Sequence, residues 1–340
     1  MITFGTSAEE CNMFPRVSRL GVLLLIAGAA LCHAQKPSTP VEIENTNSTF
    51  TPTTVNVPEA SPARPTVTAP AHIPPTGYLQ FEQGMNQADT SPGGLSAQSA
   101  INQTTKIALT TRLLVQFISQ PYTYNVVDTP SGQSATSAPG DLDVGAQYVL
   151  HKEVGAAPTV ALGYIYRVRA GTANNLDVGD HTQSALLLMS GDLPHGFHYD
   201  SNLIVLEQQS AENSLIAPPH PVRRAQFEQS AALSHLLFAK STGGRLTGVA
   251  ELSHFTQPFV TETSFGTPIT RANTLGLLFA ATFALRPNLV FDAAFDHGLT
   301  STSTQWQGDF GLTYLLPHRL WRDRHPKPAP VGVYHYRNVR

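Results

Sequence analysis

Near strand ends, Ser234–His235, Ser253–His254 and Asp296–His297 each set a histidine beside a residue that could work with it. A hydroxyl beside an imidazole is the start of nucleophilic catalysis, and a carboxylate beside one can orient a general base. Each pair lies in a stretch that alternates apolar and polar residues. Consecutive residues of a strand point to opposite faces, so the two members of a pair cannot serve one site. No G-x-S-x-G turn presents a serine and no H-E-x-x-H occurs; the 13 histidines are scattered rather than set at metal-ligand spacing. These residues point away from an enzyme and supply no catalytic, cofactor or metal site.

The second chemistry is electrostatic. Lys106, Arg112, Arg167 and Arg169, together with Asp141, Asp143, Asp200, Glu228, Glu251, Asp292, Asp296 and Asp309, occupy the polar phase of alternating stretches. In Pro158–Arg169, for example, Val160, Leu162, Tyr164, Tyr166 and Val168 oppose Arg167 and Arg169. If such strands close with their apolar face outward, these charged residues are the candidates to line a lumen. The acids outnumber the bases, which favours cations or neutral polar solutes over anions. Pairing across a small, largely filled barrel is the equally good alternative for each of them.

The elements that must position these side chains are strands of period two. They are expected at Thr105–Ile118, Asp141–Leu150, Pro158–Arg169, His181–Asp192, Phe197–Gln208, Ala225–Phe238, Arg245–Thr256 and Arg271–Leu285. A closing hairpin follows over Asn288–Leu316, where Phe291, Phe295, Phe310, Leu312, Tyr314 and Leu316 oppose Asp292, Asp296 and Asp309. Gly77–Met85 reads as a further strand, and Val331–Tyr336 as a candidate for another.

The connections alternate. Short ones at His151–Ala157, Leu193–Gly196, Lys240–Gly244 and Arg286–Asn288 are separated by longer polar loops at Gln120–Gly140, Ala170–Asp180, Gln209–Arg223, Gln257–Thr270 and Leu299–Thr304. Short periplasmic turns, long external loops and strands of about ten residues belong to outer-membrane barrels. A soluble sandwich gives no reason for long loops to fall at one end. Aromatic residues near strand ends, among them Tyr148, Tyr164, Tyr166, Phe197, Tyr199, Trp306, Tyr314 and Trp321, suit interfacial girdles. The expected fold is all-β: a transmembrane antiparallel up-and-down β-barrel of about twelve strands (ten to twelve), preceded by a disordered linker.

The flanks agree with export. Arg16 and Arg19 precede the apolar run Leu20–Leu31 and then "CHAQ", the pattern of a secretory signal peptide over 1–34. That run falls short of the ~18 apolar residues expected of a membrane anchor. Both cysteines, Cys11 and Cys32, lie in this leader, so the mature chain would have no disulfide, thiolate metal site or cysteine nucleophile. Residues 35–76 are dominated by Pro and Thr and read as an extended or disordered linker. Thr53–Val57, "TTVNV", is ordinary linker, since a receptor's energy-coupling box would need a plug domain for which no room exists. The barrel would span 77–317, and 318–340 would form a basic tail carrying Arg319, Arg322, Arg324, Lys327, Arg337 and Arg340. The chain is 13% charged with a formal net charge of −3 and shows no basic patch with stacking aromatics, so nucleic acid is not an expected partner.

"GDLDVGAQYVL" at Gly140–Leu150, "APTVALGYIYRVRAG", "LLLMSGDLPHGFHYDSNLIVL" and "DAAFDHGLTSTSTQWQGDFGLTYLL" together resemble the outer-membrane transporter family of the MetA pathway of phenol degradation. "GYLQFEQGM" resembles that family's opening strand, so the resemblance spans roughly residues 77–316. In place of the family's Pro-Thr-Gly turn stands Arg169–Thr172, "RAGT". The resemblance implies a barrel in the bacterial outer membrane that takes up aromatic or other small hydrophobic compounds. The resulting expectation is a channel or transporter for small molecules, with outer-membrane lipid and the barrel assembly machinery as partners. A structural or adhesion barrel is the alternative, and a barrel hydrolase the third reading.

Overall fold

The computed structural model describes residues 58–89, 95–129, 132–171, 182–209, 223–239, 244–260, 269–301 and 303–321. The expected leader, residues 35–57 of the expected linker and the chain beyond 321, with Val331–Tyr336, lie outside them.

Thirteen strands follow one another: β1 (Leu79–Asp89), β2 (Leu95–Ala108), β3 (Leu113–Thr129), β4 (Gly132–Ala138), β5 (Leu142–His151), β6 (Thr159–Arg169), β7 (Gln183–Asp192), β8 (Phe197–Gln209), β9 (Arg223–Ala239), β10 (Arg245–Val260), β11 (Ile269–Arg286), β12 (Leu289–Gly298) and β13 (Trp306–Leu315). Neighbours pair antiparallel around a ring that β1 closes against β13, with Gln80 opposite Leu315 and Asp89 opposite Trp306. Twelve strands form this closed barrel. β4 stands outside the ring, because it pairs with the far half of β3 (Thr123–Thr129) while the near half, Leu113–Ser119, pairs with β5.

One expected strand is two. Thr105–Ile118 is the tip of the β2–β3 hairpin, folded at Leu109–Arg112, where Leu109 N donates to Leu113 O (2.8 Å) and Leu113 N to Thr110 Oγ1 (2.9 Å). The four-residue turn preserves parity, so Ile107, Leu113, Val115 and Phe117 keep one phase across the break and the period cannot reveal it. The expected Gln120–Gly140 loop contains the second half of β3 and β4 instead.

The faces are inverted relative to a protein folded around an apolar core. Phe279 (57% exposed) and Phe310 (61%) stand on the outer wall with Phe81, Leu162 and Phe295, whereas Gln80 (0%), Glu251 (2%) and Asp292 (2%) are enclosed. A contiguous apolar exterior over a polar interior is the pattern required of a barrel that meets hydrocarbon. Near the long-loop end Trp306 packs on Phe295, ring centroids 4.7 Å apart and edge-on.

Residues 58–76 form no helix or strand, in keeping with their proline content. Yet they lie inside the barrel. Ala60 N donates to the carbonyl of Pro287 in the short β11–β12 turn (2.8 Å), and Tyr78 N to Pro75 O (3.2 Å) just before β1 begins. The segment therefore enters and leaves at the short-turn end.

Candidate functional site

Each backbone group of the 58–76 segment inside the lumen needs a partner, because enclosed amides without one are costly. The inward side chains of the wall supply them. On β1, Gln80 brackets Ser61, accepting from Ser61 N (2.9 Å) and donating to Ser61 O (2.7 Å). Glu82 accepts from Ala63 N (3.3 Å) and from Lys106 Nζ of β2 (2.5 Å). On β10 the Glu251 carboxylate receives Val67 N (3.1 Å) and Thr68 N (3.2 Å). Asn202 of β8, its amide oriented so that both ends are satisfied, accepts from Ala69 N (2.6 Å) and donates to Ala69 O (2.9 Å). Ser190 of β7 accepts from Ala71 N (2.7 Å), and Gln147 of β5 donates to Ala71 O (2.9 Å).

Arg64 is one charged anchor of the segment, and Glu59, paired with Arg245 of β10, is another. Arg64 places its Nε 3.6 Å from Asp292 on β12 and its Nη2 3.9 Å from Asp309 on β13. It fits because Gly84 and Gly311, paired across β1 and β13, form the floor beneath it. A Cβ on Gly311 would come 2.7 Å from Arg64 Nε, and one on Gly84 would overlap the guanidinium. At the segment's other end His72 Nε2 lies 3.8 Å from Glu153. That carboxylate accepts from Asp192 N (3.1 Å). Burial pushes its pKa above the ordinary carboxylate range, which the Asp192 hydrogen bond opposes. Beside it in the same turn, burial and then the charge of Arg112 hold Lys152 below the ordinary lysine range.

Ten of the twelve sequence-derived charged residues fall into four groups. Glu251, Asp292 and Asp309 hold the segment, and Lys106 braces it through Glu82. Asp200 accepts from Ser190 (2.5 Å) and lies 3.5 Å from His198 Nε2. Asp141, Asp143 and Arg167 form a separate cluster toward the long-loop end, with Arg167 2.5 Å from Asp141 and 3.2 Å from Asp143. Glu228 and Asp296 each keep an enclosed oxygen without a hydrogen-bond partner among the described residues.

Arg112 and Arg169 lie at the two rims of the barrel. Arg112 is exposed in the β2–β3 turn, donating to Leu150 O (3.0 Å), because the expected strand folds back there. Arg169 is exposed at the end of β6. Of the adjacent pairs, Ser253 is buried on the face it shares with Glu251, and His254 takes the other face. His297 Nδ1 lies 2.8 Å from the carbonyl of Gln305, away from the face of Asp296.

Several residues of this arrangement are absent from the expected lumen set. Gln80, Gln147, Ser190 and Asn202 are neutral, and Arg64 and His72 lie in the stretch read as linker. The interior is also partly apolar: Val149, Ala161, Leu186 and Leu188 form a buried cluster with Ala71, against which Ala69 and Ile73 pack. Its trace in the sequence is Leu186–Leu187–Leu188, where alternation lapses and both faces of β7 are apolar.

No family model and no curated protein matches the chain. Among solved structures it is similar to an outer membrane channel from Pseudomonas putida F1, with a TM-score of 0.53 and 13% identity over 76% of this chain and 100% of that one. It is also similar to the beta domain of the Bordetella autotransporter BrkA (TM-score 0.48, 12% identity, 71% of this chain and 100% of that one) and to the NanC porin (0.43, 9%, 70% and 100%). At these identities the likeness is one of fold.

Proposed function

We propose that the chain is an outer-membrane channel for small molecules whose path is narrowed by its own residues 58–76. The observation that carries this reading is the pairing of an apolar exterior with an interior built of polar side chains around a segment that no strand holds. Every contact of that segment with the wall is a hydrogen bond, an ion pair or apolar packing, so it can be displaced without breaking the barrel ladder. The similar fold of the Pseudomonas channel supports the reading, as does the leader over 1–34 read from the sequence. On this reading the short turns face the periplasm, and lipid and the barrel assembly machinery are the partners.

The MetA-type resemblance adds aromatic or other hydrophobic compounds as the solute class, and the apolar cluster of β5–β7 is a surface such solutes could use. Conductance of the purified protein in planar bilayers tests the proposal. Discrete openings are expected. A barrel that stays closed at every voltage overturns it in favour of a structural or adhesion role.

A further inference from the structure

Between the 58–76 segment and the wall lies a cavity of about 300 Å³. That is the lower end of the range for small-molecule sites, with room for roughly ten water-sized groups. One wall is aliphatic: Leu114, Ile118, Ile165, Leu186, Leu188 and Ile204. The charged lining is otherwise internally matched. Arg64 faces Asp292 and Asp309, and Lys106 faces Glu82.

Glu228 is the exception. It stands directly opposite Ile204 across β8 and β9, at the border of the aliphatic wall. Its Oε1 is enclosed and has no hydrogen-bond partner among the described residues. The charge acting on it is that of another acid, Glu251, whose own carboxylate is occupied by Val67 and Thr68. An enclosed carboxylate oxygen that lacks a donor is costly, and a ligand that brings a cationic donor relieves that cost. Apolar surface next to the carboxylate selects for the rest of such a ligand.

We infer that this cavity is a binding site for a small amphiphilic amine, its apolar body against the β3–β8 wall and its ammonium group on Glu228. The inference deepens the channel reading, because it names a class of solute for the same lumen.

Calorimetric titration of the full-length protein in detergent with benzylamine, benzyl alcohol and benzoate tests it. Benzylamine is expected to bind saturably, at least tenfold tighter than benzyl alcohol, with benzoate weakest. Glu228→Gln should bring benzylamine to within about threefold of the alcohol, whereas Glu228→Asp should keep the order. Equal affinity for amine and alcohol overturns the inference, as does an amine preference that survives Glu228→Gln or the absence of saturable binding. If Glu228→Gln fails to fold, the wild-type order still decides, together with Ile204→Trp, which should abolish amine binding by filling the cavity. Conductance on the same preparation separates the two proposals. An open channel without amine preference removes this site alone, and a closed barrel that binds benzylamine removes the channel.

Discussion

Arg64, from a segment that belongs to no strand, places its Nε 3.6 Å from Oδ1 of Asp292 on β12. Asp292 is 2% exposed, and neither of its oxygens has a hydrogen-bond partner among the described residues. Its compensation is therefore the guanidinium, shared with Asp309. A barrel wall that carries two enclosed acids on adjacent strands is arranged to receive a cation, and the chain supplies that cation itself.

Arg64→Met should strand both carboxylates. Breaking a buried pair costs about 3–5 kcal/mol, and a guanidinium 16% exposed belongs at or below the lower end. The expected outcome is a looser segment inside an intact barrel, read as a raised open probability in planar bilayers with unchanged heat-modifiable migration. Arg64→Met combined with Asp292→Asn should recover part of the closed state. Equal open probability in wild type and Arg64→Met would refute the anchoring role.

Gly84→Ala should reproduce that phenotype without touching a charge. The new methyl would occupy the guanidinium's place, and the side chain of Arg64 would have to leave its floor. Gly132→Ala in β4 is the control: nothing lies within 4 Å of where the added Cβ would sit, although the φ of 121° adds local strain at the long-loop end. A Gly84→Ala protein whose conductance matches wild type would show that Arg64 does not depend on that floor.

How much of this was legible in the sequence follows from the same residues. Period two and the alternation of short and long connections depend on local pattern, and they led to a closed barrel with Asp292 and Asp309 facing inward beside each other. The β2–β3 turn escaped because it keeps the alternation in phase. The 58–76 segment escaped because its contacts are made through backbone amides, which every residue carries; Val67, Thr68, Ala69 and Ala71 are held by their N–H groups and not by their side-chain type. Composition correctly excludes helix and strand there, but it is silent about a wall of Gln80, Glu82, Asn202 and Glu251 on strands far away in sequence.

Glu251→Gln should weaken the middle of the segment. The carboxylate receives two backbone donors, and hydrogen bonds to charged groups contribute about 1.5–3 kcal/mol; the amide keeps one acceptor oxygen, so a loss of about 1–2 kcal/mol is expected. Limited proteolysis of detergent-solubilised protein checks this, with faster cleavage near residues 64–70 in the variant. An unchanged cleavage rate would contradict it.

Glu153 gives the pH dependence its sign. Its pKa is raised in the folded protein, so the folded state binds more protons than the unfolded one above the ordinary value of 4.5. Stability from this group is accordingly lost as pH rises through that value toward the raised one. Glu153→Gln removes the loss. The melting temperature of the variant, relative to wild type, should increase from pH 4 to pH 8, and a gap that is constant or closes with rising pH would overturn the assignment.

The central claim, that residues 58–76 sit in the lumen and control passage, is tested most directly by a reversible lock. Ala71 and Ser190 touch, with Ala71 N 2.7 Å from Ser190 Oγ, and Cys11 and Cys32 can be replaced by serine to leave no other thiol. In planar bilayers, Ala71→Cys with Ser190→Cys is predicted to be silent when oxidised and to open on addition of reductant, while either single variant ignores both reagents. Identical conductance of the oxidised and reduced double variant, with the disulfide verified by mass, would contradict the account.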